Sequence, residues 1–117
     1  MVFVNLDEDR VRLEKLTKLL VHTFPGSVIY QYIDPVYAVV NTEDRAIDVM
    51  FINLNVSREN NWQLLALLRR KQPKMKIFVL SDDEQLRDTA LECGDWEYMV
   101  RPVTGQKLQE IVPGRDI

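Results

Sequence analysis

Polar residues follow the short apolar runs of this chain, and their types are the ones that could support chemistry. Carboxylates supply the oxygen ligands of hard cations such as Mg²⁺, and a guanidinium pairs with carboxylates through charge-assisted, often bidentate, hydrogen bonds. Taken singly, an acid after a strand is usually a helix cap and an asparagine is usually a turn residue. A chemical role requires that these residues meet at one site. They are Asp7, Glu8 and Asp9 after the first run, Asn53 after the third, Ser81 and Asp82 after the fourth, and Arg101 after the fifth.

The apolar runs themselves have the composition of β-strands. They are rich in β-branched and aromatic residues and are bounded by turn-forming residues. The third run is apolar at nearly every position, which is typical of a central strand buried on both faces of a parallel sheet. The predicted strands are Val2 to Leu6, Val28 to Ile33, Ile47 to Ile52, Ile77 to Leu80 and Tyr98 to Val100.

Between these strands, apolar residues recur at spacings of three and four, which predicts helices with one buried face. Acids, threonine and proline at the expected starts, and glycine or proline after the ends, set the limits of these helices. The predicted helices follow the stripe Leu13, Leu16 and Leu20 as far as Pro25, run from Asp34 and Pro35 to about Glu43, from Glu59 to Lys71, from Glu84 to Cys93 with Gly94 left-handed after it, and from the cap Thr104 to Pro113.

Strands that alternate with helices imply an α/β fold with a parallel, doubly wound sheet and right-handed crossovers. In such sheets the binding site lies outside the carboxyl ends of the strands, at the point where the winding reverses direction. The polar residues that follow the strands are therefore predicted to meet at one edge of the sheet.

Composition excludes several classes of protein. A chain of 117 residues, 46% hydrophobic and 28% charged, is expected to form one domain over residues 1–117. No apolar run approaches the ~20 residues of a membrane span and no secretion signal is visible, so we expect a cytoplasmic protein without a membrane partner. The net charge of −3 and a single basic cluster, Arg69 to Lys71 at a helix end, argue against direct nucleic-acid binding.

The sequence also lacks the usual marks of an enzyme. It contains no Gly-x-Ser-x-Gly elbow, no glycine-rich phosphate loop and no Cys-x-x-Cys pair. The single cysteine, Cys93, has the acids Glu92 and Asp95 nearby and is expected to be a small buried hydrophobe.

The order and spacing of several short segments resemble those of a CheY-like receiver domain of the response-regulator family, over nearly the whole chain. This resemblance implies a flavodoxin-like three-layer sandwich, with a five-stranded parallel sheet in the order 2-1-3-4-5 and five helices. The matching segments are Leu6-Asp7-Glu8-Asp9, Phe24-Pro25, Asp34-Pro35, Asp48-Val49-Met50-Phe51-Ile52-Asn53, Val79-Leu80-Ser81 and Tyr98-Met99-Val100-Arg101-Pro102-Val103-Thr104.

The resemblance also implies roles for the residues after the strands. In the family, an acidic pair and an aspartate after the third strand hold Mg²⁺, and that aspartate accepts a phosphoryl group. Here its position is Asn53, and a carboxamide cannot form an acyl phosphate. The family's lysine is replaced by Arg101, Ser81 is kept, and Asp82 stands where the family has a small residue. We therefore expect a degenerate receiver, or pseudo-receiver, with phosphotransfer lost, Mg²⁺ binding weak or lost, and no cofactor.

Two alternatives stay open at the first strand. An alignment without insertion assigns Asp7 and Glu8 to the acidic pair, whereas the helix register of Leu13 and Leu16 slightly favours Glu8 and Asp9.

The segment from Leu54 to Asn61 also departs from the family, since it lacks the family's Met-Pro and its glycines. We expect Arg101 to pair permanently with the acids, which would give a fixed conformation in place of a switch.

The resemblance finally implies a surface for partners. Tyr98 corresponds to the family's switch aromatic and is expected to be ordinary packing, whereas Trp96 is expected to be an exposed anchor. We expect a phosphorylation-independent signalling module of bacterial signal transduction that binds a protein or a second copy through its fourth helix, fifth strand and fifth helix. The alternative is a sensor of a small ligand or anion that uses Arg101 and Ser81. Receivers of this type usually precede a DNA-binding domain, and whether this one is part of a longer transcription regulator stays open.

Overall fold

The apolar runs form one parallel sheet in the computed structural model, which describes residues 1–42, 44–53, 59–92 and 94–112 and, for residues 59–61, the backbone alone. The strands are β1 (Val2–Leu6), β2 (Val28–Tyr32), β3 (Val49–Asn53), β4 (Lys76–Ser81) and β5 (Glu97–Val100). All neighbouring strands are parallel. Their order is β2-β1-β3-β4-β5, so the predicted order is confirmed and the winding reverses between β1 and β3.

Helices cover both faces of this sheet. They are α1 (Arg10–Thr23), α2 (Pro35–Thr42), α3 (Glu59–Lys71), α4 (Arg87–Glu92) and α5 (Gly105–Ile111). One core cluster contains residues of α1 and α5, and the other contains residues of α2, α3 and α4. The fourth helix was predicted to begin at Glu84, but residues Glu84–Leu86 form a 3-10 turn and the α-helix begins after it.

Side-chain caps fix the starts of α1 and α5, and Thr104 is the one of the two that the sequence predicts as a cap. Asp9 accepts hydrogen bonds from the backbone N–H groups of Val11 (2.9 Å) and Arg12 (3.2 Å) at the start of α1. Thr104 accepts one from the N–H of Lys107 (3.2 Å) at the start of α5. These side chains satisfy backbone donors that have no partner inside the helix. The caps therefore set where α1 and α5 begin relative to the strand ends.

A row of phenylalanines ties the central strands together beneath α1 and α5. The ring of Phe3 lies 5.5 Å from Phe24 and 6.2 Å from Phe51, and Phe51 lies 5.5 Å from Phe78, measured between ring centroids. All four side chains are buried. Such contacts stabilise a core beyond the area that they bury, so this row joins β1, β3 and β4 to one another and to the end of α1.

On the opposite face of the sheet, the predictions for Trp96 and Gly94 are both wrong. Its side chain is only 6% exposed, so the expectation of an exposed anchor is wrong. The indole stacks on Trp62 at 5.6 Å and donates its N–H to the carbonyl of Ala90 at 2.8 Å, which allows its burial. Gly94 lacks the positive φ expected for it. Glycine is required there because a Cβ would overlap the Trp96 ring.

The basic cluster lies in the last turn of α3, as predicted. There the Arg69 guanidinium donates to the carbonyls of Gln72, Pro73 and Asp95, so it joins the end of α3 to the start of β5.

No helix in the described ranges is long and apolar enough to cross a membrane. The predictions that concern Glu43, the segment after Asn53, Cys93 and Pro113 fall on or extend into residues outside the described ones, and they stay predictions there.

Candidate functional site

At the carboxyl edge of the sheet, residues at the ends of four strands lie around a cavity of about 520 Å³. Asp7 follows β1, Asn53 ends β3, Asp82 follows β4 and Arg101 follows β5. All four line the cavity, together with Arg12 of α1. The predicted convergence of Asp7, Asn53, Asp82 and Arg101 is therefore observed.

Arg101 is the centre of this group. Its Nη2 donates to Oδ1 of Asn53 at 2.5 Å and lies 3.6 Å from Oδ2 of Asp7, and its Nη1 lies 3.5 Å from Oδ1 of Asp82. Arg101 thus pairs with Asp7 and Asp82, and the permanence of this pairing stays a prediction. Because the Asp82 side chain is 75% exposed, solvent screens that contact, and it contributes little to stability. The contacts to Asn53 and Asp7 are the stronger ones.

Arg12 is a site residue that the sequence did not reveal. Its Nε donates to Oδ2 of Asp7 at 2.9 Å and its Nη2 to Oδ1 at 3.0 Å, which is a bidentate pair. This hydrogen bonding to Asp7 raises the pKa of the Arg12 guanidinium. Arg12 lies three residues after the cap Asp9, a spacing that places side chains on the same face of a helix. That spacing was the one available signal.

Asp7, and not Glu8, is the acid that enters the site. Phe3 and Asn5 point towards α1, and the alternation of side chains along an extended chain carries Asp7 to the same face. Asp7 lines the cavity with a side chain only 8% exposed, whereas Glu8 is exposed. The structure therefore does not bring Glu8 and Asp9, the slightly favoured pair, together at the cavity; of the three acids, Asp7 lines it.

Asp9 caps α1 at the rim of the site. Hydrogen bonds from the backbone N–H of Arg12, and then of Val11, lower the pKa of its carboxyl, and the charges of Arg12 and Arg101 add to the effect. Its Oδ2 lies 3.6 Å from Nη1 of Arg12. Asp9 therefore stays ionised to a lower pH than an ordinary aspartate, and it helps to hold Arg12 in place.

Ser81 and Tyr98 lie beside the cavity and do not line it. The Ser81 hydroxyl accepts from the backbone N–H of Asp83 at 3.0 Å. The Tyr98 hydroxyl donates to the carbonyl of Asp83 at 2.6 Å, and the Arg87 guanidinium lies 5.3 Å from its ring centroid. Tyr98 is buried, so its predicted packing is confirmed. A role in switching is not tested by this arrangement.

The site does not fit the Mg²⁺ ion that the resemblance implies. Asn53 offers a neutral oxygen that already accepts from Arg101, and both oxygens of Asp7 are held by Arg12. Within the described residues, no three His, Cys, Asp or Glu side chains group so that they could hold a metal ion. A divalent cation here would also be repelled by two guanidinium groups.

Below the charged mouth, the cavity continues between α1 and the segment before α5. Its walls are mostly apolar, and Asn5 of β1 lies beneath it, fully buried at 0% exposed. The Asn5 amide nitrogen donates to the hydroxyl of Thr17 at 3.0 Å, and its Oδ1 has no partner. A lone asparagine inside an apolar strand was the sequence signal for this second residue that we did not predict. The apolar wall residues are Leu6, Leu13, Leu16, Leu19, Phe51, Leu80, Pro102 and Val103.

Comparisons with known proteins identify the architecture. Neither protein-family models nor curated proteins match the chain. Among solved structures, a response regulator receiver domain from Clostridium thermocellum matches with a TM-score of 0.77 and 21% identity, over 95% of this chain and 90% of that one. The chain has the receiver-domain fold. A putative pilus assembly protein from Burkholderia thailandensis matches with a TM-score of 0.76 and 18% identity, over 94% and 93% of the two chains.

A third structure gives the receiver-domain fold in a phosphorylated protein. It is a response regulator from Burkholderia pseudomallei with a phosphorylated aspartic acid and a calcium ion, and it matches with a TM-score of 0.78 and 18% identity, over 97% of this chain and 66% of that one. At identities this low, the likeness establishes a shared receiver-domain fold. What the present chain does with that fold depends on its own residues.

Proposed function

We propose that this chain is a degenerate receiver of bacterial signal transduction that acts through protein contacts and is not phosphorylated. The observation that carries the proposal is the hydrogen bond of 2.5 Å from Arg101 to the side-chain oxygen of Asn53. An amide oxygen bears no full charge and cannot become an acyl phosphate. With Arg101 fixed on that oxygen, the centre of the site is occupied by an internal contact.

The remaining contacts support a permanent arrangement of the loops. Arg12 joins α1 to the end of β1 through Asp7, and Arg101 joins the loop after β5 to Asn53, Asp7 and Asp82. Bidentate and charge-assisted hydrogen bonds are about twice as strong as neutral ones. We infer that these two arginines hold the strand ends together without a phosphoryl group, so the domain presents one constant surface.

The test exposes the protein to acetyl phosphate with Mg²⁺ and measures the intact mass. We expect no gain in mass from wild type, because no carboxylate stands at position 53. Beryllofluoride, added with Mg²⁺, is likewise expected to leave the amide NMR spectrum unchanged. A stable phosphoryl adduct on any carboxylate of the wild-type chain would overturn the proposal.

Variants make the same test sharper. We expect Asn53→Asp alone to stay inactive, because Arg12 still holds Asp7. Asn53→Asp combined with Asp82→Ala and Arg12→Ala removes the repelling carboxylate and frees Asp7, and it should recover weak Mg²⁺-dependent phosphorylation. The matched control replaces Arg10, an exposed residue of the same helix, in place of Arg12. If that control recovers as well, then Arg12 is not the block.

A partner surface is proposed on α4, β5 and α5. A groove of about 570 Å³ crosses this face, and it is lined by both carboxylates and cations. Mixed charges on one face allow two copies to pair around a two-fold axis, so we favour a second copy of this chain over a different protein. Since Trp96 is buried, Leu91, which is 42% exposed, is the apolar contact that we propose in its place.

The alternative function, sensing of an anion by Arg101 and Ser81, has less support at those two residues. Arg101 is engaged by three side chains, and Ser81 does not line the cavity.

A further inference from the structure

The two edge strands of the sheet differ in how their free backbone groups are covered. The sheet ends at β2 on one side and at β5 on the other. Successive residues of a strand turn their backbone N–H and C=O groups to opposite sides, so every second residue of an edge strand faces away from the sheet. Unpaired groups of this kind are a template for a further strand, and proteins usually protect them.

At β5, cations cover the outward carbonyls. The N–H of Arg101 donates back to β4 at 2.9 Å, so Tyr98 and Val100 turn their backbone groups to the free edge. Nη1 of Arg87 donates to the carbonyl of Tyr98 at 3.1 Å, and Nζ of Lys107 lies 3.5 Å from the carbonyl of Val100. These side chains occupy the place that an added strand needs.

At β2, the outward groups are uncovered. The N–H of Val28 and the carbonyl of Tyr32 bond to the chain at either end of β1, at 3.0 and 3.1 Å, so every second residue of β2 faces β1. Ile29 and Gln31 lie between those residues and turn their N–H and C=O groups to the free edge. Within the described part of the chain, no group bonds to them there.

The side chains of β2 also lack the usual protection of an edge. Residues 28–33 contain neither a charge nor a proline, and all but Gln31 are β-branched or aromatic, the types that favour strands. Every residue of β2 is at least partly exposed. Val28, which begins the strand, is 47% exposed, and Ile33, which follows it, is 44% exposed. An edge strand of this kind is open to pairing.

We propose that the free edge of β2 binds an extended segment of another protein as an added strand. The backbone groups of Ile29 and Gln31 pair with the main chain of that segment, which must be extended to meet them. The segment is uncharged, because β2 offers no charge to pair with it. This inference goes beyond the proposed function, because neither Asn53 nor phosphorylation takes part.

A second copy of this chain is the alternative occupant of β2. Copies that pair at the β5 face and also at β2 extend into assemblies larger than a closed dimer. We therefore favour a different protein at β2. This preference rests on the proposed self-association at the β5 face, whereas the uncovered edge itself does not.

The test uses a labelled peptide of alternating threonine and valine with blocked ends, titrated with the wild-type protein and followed by fluorescence anisotropy. Two matched peptides carry N-methyl groups on alternate amides, along one edge of the extended peptide or along the other. Because an added strand bonds through one edge alone, one methylated peptide should bind about as well as the parent, and the other about tenfold or more weakly. Equal affinities of these two peptides, or a parent that does not bind at millimolar concentration, would overturn the proposal.

Hydrogen exchange locates the peptide without any variant. In the free protein, the amides of Ile29 and Gln31 should exchange rapidly, whereas those of Tyr30 and Tyr32, which face β1, should be protected. The bound peptide should slow the exchange of Ile29 and Gln31. If the peptide binds and these two amides stay unprotected, it lies elsewhere and the inference is wrong.

A pair of variants at one position tests the edge itself. Gln31→Pro removes an N–H that faces the free edge and makes no bond to β1, a position where proline is tolerated, and it should weaken peptide binding by about tenfold or more. Gln31→Thr keeps the N–H and should bind as the wild type does. Circular dichroism identifies a variant that does not fold.

The same variant separates the two occupants. Sedimentation of Gln31→Pro should show the self-association of the wild type. If self-association is lost, a second copy occupies β2, and the assignment to another protein is wrong. None of these outcomes changes the expected result with acetyl phosphate, so this proposal and the proposed function fail separately.

Discussion

At the scale of single residues, Asp7 and Arg12 set the character of the site. The carboxylate of Asp7 is nearly buried, and Arg12 holds both of its oxygens. A carboxylate in that environment is stable only with a partner, since desolvation of an unpaired charge is costly. The guanidinium is thus as much a part of the site as the acid.

Removing Arg12 tests this dependence. We expect Arg12→Ala to lower the free energy of unfolding by about 1–3 kcal/mol, below the 3–5 kcal/mol of a fully buried pair because solvent screens the partly exposed arginine. Asp7→Asn should reduce the cost of Arg12→Ala, and urea denaturation of the single and double variants measures the coupling. A coupling below about 0.5 kcal/mol would mean that the pair is no more than a surface contact.

The sequence was sufficient for the residues that end strands. Asn53, Asp82 and Arg101 meet because parallel strands bring their carboxyl ends to one edge, and that follows from strand order alone. Arg12 and Asn5 were not predicted, since their roles depend on how α1 is seated over β1. The slight preference for the pair Glu8 and Asp9 over the pair Asp7 and Glu8 left out Asp7, because it relied on the helix register where the strand register decides.

At the scale of elements, the start of α5 was predicted correctly, whereas the start of α4 and the burial of Trp96 were not. Side-chain caps such as Thr104 act within a few residues, so the beginning of α5 could be read from the sequence. The start of α4 was missed because Asp83 accepts from the N–H of Gln85 at 2.8 Å and begins a 3-10 turn first. The burial of Trp96 depends on Trp62 in another element, which no local pattern records.

The contact between Trp96 and Gly94 gives a test at this scale. We expect Gly94→Ala to lower the free energy of unfolding by about 1–3 kcal/mol, because the new Cβ overlaps the buried indole and forces it to move. Gly105→Ala is the matched control. Its Cβ would come 3.3 Å from the Thr23 hydroxyl, and alanine favours the helix, so the change should stay within about 1 kcal/mol. Similar values for the two variants, measured by chemical denaturation, would contradict the proposed overlap.

At the scale of the whole molecule, the two faces of the sheet have different tasks. The face under α1 and α5 contains the phenylalanine row and the cavity, whereas the face under α2, α3 and α4 contains the tryptophan stack. The proposed partner surface lies at the β5 edge, where both layers end. Buried residues on both sides of β3 explain why its apolar run predicted a central strand.

Self-association through that edge is the prediction for the molecule as a whole. Leu91→Glu places a charge on the proposed contact, and it should weaken dimerisation by about tenfold or more in sedimentation experiments. Val40→Glu is the matched control, because Val40 is an apolar residue of α2, 59% exposed, and belongs to a different surface. The dimer should also weaken with added salt if the charged side chains of the groove contribute to it.

The outcomes separate the alternatives for this surface. A dimer that is lost with Val40→Glu and kept with Leu91→Glu would move the interface to α2, where Val36 and Tyr37 are exposed beside Val40. A wild-type chain that stays monomeric at millimolar concentration would overturn pairing of two copies, and the β5 edge would then require a different protein. Because a single exposed leucine supplies the apolar contact, the affinity of a dimer formed there should be modest, and charge complementarity should set its specificity.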